Sequence, residues 1–511
     1  MLPKKELNNC CMDVNQGISE TRSIVGKRNE KATMYSMENK DRSQGVLYSV
    51  DDAVSKAGYG KFQIKLTILA GLGWLADAFE IFILSIIGDL MACEWNLYRW
   101  HIALLTSVVF TGIMLGSPVL GIIADIYGRK KCLGLSSIMI FILGVSSAAS
   151  PSYTWMVVLR ALVGFALGGV GQGLTLYSEY CPANVRGRVA FFLCYFWSVG
   201  TVGVILLAWV VMEYLDNWRI LLGCAAIPSL IVIIAIKWYP ESARYFLVSN
   251  KPEEADKILK KMADMNNVSL PDGQLAYFCY GKSRGRIGDL FRKEYKRTTL
   301  FFCYIWFAVG FAYFGVALLS PILIQKGSFM KISESNSTHT TYYEDMMTAV
   351  PCSKYTRQNY IDLLWTSSAE LPGLVVYTFL VECLSRKTLL SGSCIISSIL
   401  MLLLLLKTQK TLILIILFGV RAILVSIFQL NYIMTSEAFP TTVRALAIGT
   451  GTAFCRLGGL IVPFIAQVLI VESPIIAMCL MAGILFISGI AAAFLPFETR
   501  NSQMKESHEE S

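Results

Sequence analysis

The sequence predicts an all-α membrane protein whose twelve transmembrane helices form two parallel six-helix repeats. Three observations carry that expectation. Of the 511 residues, 55% are hydrophobic and only 16% are charged, against roughly 25% charged in a soluble domain. Apolar runs long enough to cross a bilayer, about 20 residues each, recur along the chain in two groups. Polar motifs of the first group return in the second at a nearly constant offset.

Taken in order, residues 1–62 are polar and predict a cytoplasmic, disordered segment with no cleaved secretory signal. Apolar segments follow at about 64–88, 102–124, 132–150, 155–177, 189–211 and 219–239, closing a first half over 63–240. A polar linker occupies 241–298. Further segments at about 299–322, 361–384, 388–406, 411–434, 444–470 and 473–495 make a second half over 299–496, with a tail at 497–511. Helices are expected because a bilayer core offers no water to backbone polar groups, and the runs are too long for barrel strands.

Basic residues set the orientation. Arg129, Lys130 and Lys131 follow span 2, Arg186 and Arg188 follow span 4, Arg386 and Lys387 follow span 8, and the linker is rich in Lys and Arg. Both termini and the linker are therefore expected in the cytoplasm. The same argument absorbs the net charge of +9, so no nucleic-acid partner is expected. The loop at about 323–360 falls on the opposite side and holds Asn336-Ser337-Thr338, a glycosylation acceptor. A second such tripeptide, Asn267-Val268-Ser269, falls in the linker, where no modification is expected. Cys93 and Cys352 are the cysteines on the outer side and a candidate disulfide. The other cysteines and the three His follow no metal-ligand spacing, so neither metal nor cofactor is expected.

The repeat is specific. Ser178-Glu179-x-x-Pro182-x-x-Val185-Arg186 returns as Ser436-Glu437-x-x-Pro440-x-x-Val443-Arg444, Arg129-Lys130 as Arg386-Lys387, and Pro240 as Pro496, at offsets of 256 to 258 residues. Six spans return the chain to the same side, so the two halves share one orientation. Parallel repeats of this kind imply halves that rock about a site at mid-membrane.

Gly121-x-x-Ala124-Asp125-x-x-Gly128-Arg129-Lys130 resembles the loop 2–3 signature of the major facilitator superfamily, and Pro240-Glu241-Ser242-Ala243-Arg244 resembles an element after span 6 in sugar porters and organic-ion transporters. Ala76-Asp77-Ala78-Phe79-Glu80, Cys93-Glu94-Trp95, the run from Ala103 to Phe110, and Pro463-Phe464-Ile465-Ala466-Gln467 are similar to the synaptic vesicle two-related branch. The likeness runs from about residue 45 to residue 500. It implies the major facilitator fold, transport by alternating access, and a vesicle membrane, with the plasma membrane as the alternative. The second copy of the loop signature is worn, with Glu382 at its acidic position and Ser385 in place of Gly.

An ionisable side chain at mid-membrane costs at least about 2.5–3.5 kcal/mol on insertion scales and is a functional candidate by default. Asp77 and Glu80 in span 1, Arg160 in span 4, Glu370 in span 8, Arg421 in span 10 and Arg456 in span 11 qualify. The resemblance to proton-coupled sugar porters implies that Asp77 pairs with Arg160 as the proton-coupling site, with Glu80 left as second acid or substrate contact; a static ion pair fits the same residues. Glu370-Leu371-Pro372-Gly373 resembles span 8 of organic-ion transporters, and Pro372 suits a hinge. Arg456-Leu457-Gly458-Gly459-x-x-x-Pro463 resembles span 11 of the organic-anion branch. Its guanidinium can hold a carboxylate through two parallel hydrogen bonds, or can be salt-bridged. Tyr313, Gln429 and Asn431 complete the expected substrate contacts. Asp125, Arg129, Glu179 with Arg188, and Glu437 with Arg444 are expected to latch and release helix ends as gates.

Absences narrow the reading. Span 7 lacks the paired Gln and Asn of sugar porters, and span 10 lacks their Gly-Pro-x-Pro-Trp. There is no phosphate loop for ATP and no nucleophile–base constellation of an enzyme. The expectation is a monomeric secondary transporter of small organic ions, foremost anions, with protons as partner. The alternatives are an organic-cation transporter and a vesicle membrane protein that binds or regulates without transporting.

Overall fold

The computed structural model describes residues 47–182, 186–276, 287–327, 354–406, 409–439 and 441–496. Asn336, Cys352, the tail and the side chains of Arg186 and Arg188 lie outside the described residues.

Among the described residues, twelve helices are long and apolar enough to cross a membrane. Spans 1 to 6 are Lys61–Trp95, Arg99–Tyr127, Arg129–Ala148, Tyr153–Glu179, Phe192–Tyr214 and Trp218–Trp238. Spans 7 to 12 are Lys296–Lys326, Arg357–Cys383, Arg386–Leu403, Lys410–Ala438, Val443–Glu472 and Pro474–Ala493. Span 1 outruns its apolar core because a left-handed Asn96 (φ 50°) caps it only after Trp95. Side chains such as Leu115, Ile122 and Phe379 stay exposed, as expected of helices that face hydrocarbon.

The repeat seen in the motifs recurs in the packing. Span 1 lies on span 5 as span 7 lies on span 11, span 2 on span 4 as span 8 on span 10, and span 3 on span 6 as span 9 on span 12. The halves meet through spans 2 and 11 and through spans 5 and 8. Span 7 is the most enclosed helix of the set. Trp306, Phe311, Tyr313 and Phe314 on it are all buried, so they pack against helices rather than lipid.

Spans 4 and 6 are interrupted after Leu167 and at Ala226, and spans 8 and 11 break beside prolines. Span 8 runs as Arg357–Ser368 and Glu370–Cys383, as expected where Pro372 has no N–H for the Ser368 carbonyl. Span 11 passes at Pro463 into a π-helical turn, Phe464–Leu469, a distortion frequent at functional sites. Elsewhere small residues draw backbones together. A Cβ on Gly164 would stand 2.2 Å from the Val109 carbonyl oxygen, and one on Gly116 2.0 Å from that of Phe165.

The disorder expected over 1–62 is corrected for residues 47–62. Leu47–Tyr48 pairs in parallel with Gln274–Leu275 of the linker. A helix, Val50–Ala57, follows, opened by a capping box in which Ser49 and Asp52 bond each other's backbone N–H. Its Val50, Ala53 and Val54 are buried in one cluster with Leu259 and Met262 of the linker helix Pro252–Met265. The Asn266 amide donates to Ala57 O at 3.1 Å and Arg244 pairs with Asp51 at 2.6 Å.

A packing test follows. Gly116→Ala and Gly164→Ala are each expected to cost about 1–3 kcal/mol through overpacking, read as a lower melting temperature of the detergent-solubilised protein. Gly171→Ala, where nothing lies within 4 Å of the added carbon, is expected to leave that temperature unchanged.

Candidate functional site

The first half carries a closed ion pair at its centre. Arg160 Nη1 stands 2.8 Å from Glu80 Oε2, and neither side chain is exposed. This corrects the pairing of Arg160 with Asp77. Residues three apart on a helix point about 60° apart, so the rotation of span 1 decides which acid faces span 4. That rotation is set against span 5, where Gly71 meets Phe196 and Gly200 meets Leu75 and Ala78 at contact distance. Glu80 is thereby turned inward, with Oε1 3.0 Å from the Cβ position of Gly144 on span 3.

A second closed pair occupies the other half. Arg421 Nη2 stands 2.7 Å from Glu370 Oε1, the carboxylate wholly buried. Unlike the first pair, it touches both halves. Tyr313 Oη donates to Glu370 Oε1 at 3.3 Å and accepts from Trp197 Nε1 at 2.7 Å. Thr201, on span 5, donates to Ser198 O at 2.8 Å and brings its hydroxyl oxygen within 3.4 Å of Glu370 Oε2. The hydroxyl of Tyr313 is thus committed, and its ring is flanked by Phe82, Phe314 and Phe428. Trp197 and Thr201 carry no sequence signal for this role; only the approach of spans 5 and 8 reveals it.

Two further mid-membrane charges, Asp77 and Arg456, belong to neither ion pair. Asp77 Oδ1 and Arg456 Nη1 are buried and make no hydrogen bond. Arg456 is the cation whose field acts on Asp77, and Glu80 is the neighbouring anion. Arg456 also lies within electrostatic reach of Tyr432. Nearby polarity comes from Gln429, whose Oε1 accepts from Cys194 Sγ at 2.6 Å across the seam. Gln429 Nε2 and both amide atoms of Asn431 are buried without partners. Buried polar atoms are normally satisfied, so such a set is what a ligand-binding or water-lined centre leaves open.

The helix ends on the linker side form a separate group. Arg129 pairs with Glu179, and Arg386 with Glu437. Each pair ties neighbouring spans of one half, not the two halves to each other. Glu241 belongs with them although sequence reading left it out. Its Oε1 accepts from the N–H groups of Arg129 and Lys130 at 2.9 and 3.1 Å, capping the positive end of span 3. In the second half Ser385 takes the capping position of span 9, its side chain accepting from Thr388 N. Asp125 sits in the last turn of span 2, and Arg444 donates through Nε to Phe439 O at 3.2 Å. The latch partner expected for Glu179, Arg188, lies outside the described side chains. On the outer side Cys93 is disulfide-bonded. Its candidate partner, Cys352, lies outside the described residues.

A buried pair costs most when half of it is removed. Arg421→Leu is expected to destabilise the protein by about 3–5 kcal/mol because it leaves Glu370 buried and uncompensated. Arg421→Leu combined with Glu370→Leu is expected to recover most of that loss. Melting curves of the two variants in detergent check the difference.

With this geometry in hand, comparison with known proteins is informative. The sugar (and other) transporter family matches residues 34–327 and 368–510. The synaptic vesicle 2-related protein of Bos taurus is 39% identical over 460 residues, covering 90% of this chain and 83% of that protein. The organic cation/carnitine transporter 7 of Arabidopsis thaliana is 32% identical over 501 residues, covering 90% of this chain and 96% of that one. The inward open conformation of the xylose transporter XylE from E. coli superposes with a TM-score of 0.63 at 15% identity, covering 87% of this chain and 98% of that chain. That likeness bears on the fold alone. With two six-helix repeats, buried charges at their seam and relatives that are transporters rather than enzymes, the chain belongs to the sugar (and other) transporter family of the major facilitator superfamily and is a multi-pass membrane transporter.

Proposed function

We propose that the chain moves small organic anions, carboxylates foremost, by alternating access, with protons as the coupled ion. One observation carries the reading: Arg456 brings a guanidinium nitrogen into the buried centre with no partner of its own. Such a group keeps its charge at any physiological pH and suits a carboxylate through parallel hydrogen bonds. Arg160 and Arg421 are paired with Glu80 and Glu370, so among these three we assign Arg456 to the ligand. Gln429 and Asn431, both buried on span 10 with unpartnered amide atoms, are assigned as further polar contacts for the substrate.

The coupling role moves from Asp77 to Glu80. A proton on Glu80 releases Arg160, and re-ionisation restores the bond, so the state of that carboxylate biases the packing of spans 1, 3 and 4. The halves are joined at and outside the middle of the membrane. Ser107 on span 2 donates to Leu460 O on span 11 at 2.8 Å, Lys354 pairs with Asp216, and Arg357 lies 5.6 Å above the Trp209 ring. Opening outward requires these bonds to part while the latches within each half hold.

A second reading, transport of organic cations, is favoured by Asp77, whose carboxylate oxygen is equally unpartnered, and by the name of the Arabidopsis relative. A vesicle membrane is the location suggested by the names of the synaptic vesicle 2-related proteins.

Arg456→Ala is expected to abolish uptake of carboxylates into proteoliposomes, with Arg456→Lys intermediate, while both variants reach the membrane at parental levels. Undiminished uptake by Arg456→Ala removes the anion reading. Glu80→Gln is expected to lose accumulation driven by a pH gradient but keep substrate exchange; accumulation at the parental rate removes Glu80 from coupling.

A further inference from the structure

Four lysines gather on the linker side of the first half, away from the seam. Lys130 and Lys131 open span 3, Lys237 closes span 6, and Lys261 belongs to the linker helix Pro252–Met265. Spans 3 and 6 touch there: a Cβ on Gly134 would stand 3.4 Å from Ile236 Cγ1, and Lys130 Nζ donates to the Lys237 carbonyl at 3.4 Å. Lys261 lies close enough for its charge to act on Lys130. Among the described residues none of the four forms an ion pair, whereas Lys257 and Lys260 of the same linker helix pair with Glu254 and Asp256 at 3.0 and 2.6 Å. The acid whose field reaches Lys130 is Glu241, and its Oε1 is taken up by the backbone N–H groups of Arg129, Lys130 and Ser242. The cluster therefore keeps a net positive charge.

Two apolar stripes lead into it. Leu135 and Ile138 follow Lys131 at steps of four and three residues, so all three share one face of span 3, and both apolar side chains are exposed. On span 6 Ile231, Ile234 and Trp238 share a face in the same way and are exposed too. Lys237 Nζ stands 4.3 Å from the centre of the Trp238 ring. Exposed apolar side chains on a spanning helix face acyl chains, and a Trp at the end of such a stripe marks the level of the headgroups. We propose that this corner binds an anionic phospholipid, its headgroup held by Lys130, Lys131, Lys237 and Lys261 and its chains laid along spans 3 and 6. A soluble phosphate compound matches the charge but leaves the stripes unused, and a neutral phospholipid covers the stripes but leaves the charge. The bound lipid joins two spans to the linker helix at the membrane surface.

The test adds short-chain lipids to the full-length protein in detergent and reads binding by native mass spectrometry. The anionic probes are dioctanoyl phosphatidylserine and a dioctanoyl phosphatidylinositol phosphate. Dioctanoyl phosphatidylcholine is the neutral control, and glycerophosphoserine and the matching inositol phosphate are the chain-free controls. At least one anionic lipid is expected to bind ~tenfold or more tightly than both the neutral lipid and its own chain-free headgroup. Each lysine near an anionic headgroup contributes about fivefold. Lys131→Gln with Lys237→Gln is therefore expected to weaken that lipid ~tenfold or more, while Lys257→Gln with Lys260→Gln leaves its binding unchanged. All four of these side chains are exposed, so neither double variant threatens the fold. Phosphatidylcholine binding as tightly as the anionic lipids overturns the proposal. A headgroup that binds equally well without its chains also overturns it, making the corner a site for soluble phosphate compounds. Parental binding by the Lys131 and Lys237 double variant, equal weakening in the Lys257 and Lys260 double variant, or no lipid binding at all overturns it as well.

Discussion

Charge buried in a bilayer is the constraint on which the rest of this molecule depends. A lone carboxylate or guanidinium at mid-membrane is too poorly solvated to persist, so each must find a counter-charge, a cluster of dipoles or water. Glu80 and Arg160 meet this demand inside one half, and Glu370 and Arg421 inside the other. These two bonds pin span 4 to span 1 and span 10 to span 8 at the depth where the helices would otherwise have only apolar surface in common. Lipid tails compete equally for apolar surface, so packing there has no hydrophobic driving force of its own. Close glycine contacts and buried ion pairs supply the specificity instead.

The two pairs are not equivalent, and their difference gives the molecule its seam. Glu80 is enclosed by spans of its own half, whereas Glu370 accepts from Tyr313, which in turn accepts from Trp197 of the other half, and the Thr201 hydroxyl lies beside it. The carboxylate of Glu370 is therefore a point at which the state of one half is felt by the other. Bonds such as Arg129 to Glu179 and Arg386 to Glu437 have the opposite character. They stiffen each half internally at its linker end. Rigid halves joined through a few polar contacts at mid-depth are what rocking motion requires.

Much of the fold was legible in the sequence because its signals are local and additive. Hydropathy counts residues one by one, and the loops after spans 2, 4 and 8 declare their side by Arg and Lys alone. The segment at 47–62 was misread for the complementary reason. Its helix has weak apolar character, and Val50, Ala53 and Val54 gain their burial only from Leu259 and Met262, some 200 residues away in the chain. The role of Glu241 is non-local in the same way: its motif after span 6 names no partner, and only the fold brings its carboxylate to the N–H groups that open span 3.

The sequence by itself determined that the chain crosses the membrane twelve times, that its halves are copies with one orientation, and which six charges sit at mid-depth. Those facts depend on composition and spacing, which need no knowledge of neighbours. Tertiary structure decided which of those charges meet. Asp77 and Glu80 are chemically alike and only one turn apart, so no local rule separates them; the close contact of Gly71 and Gly200 with their neighbours fixes the rotation of span 1. That rotation commits Glu80 to Arg160 and leaves Asp77 facing the seam, because a helix turned by about 60° exchanges one side chain for the next.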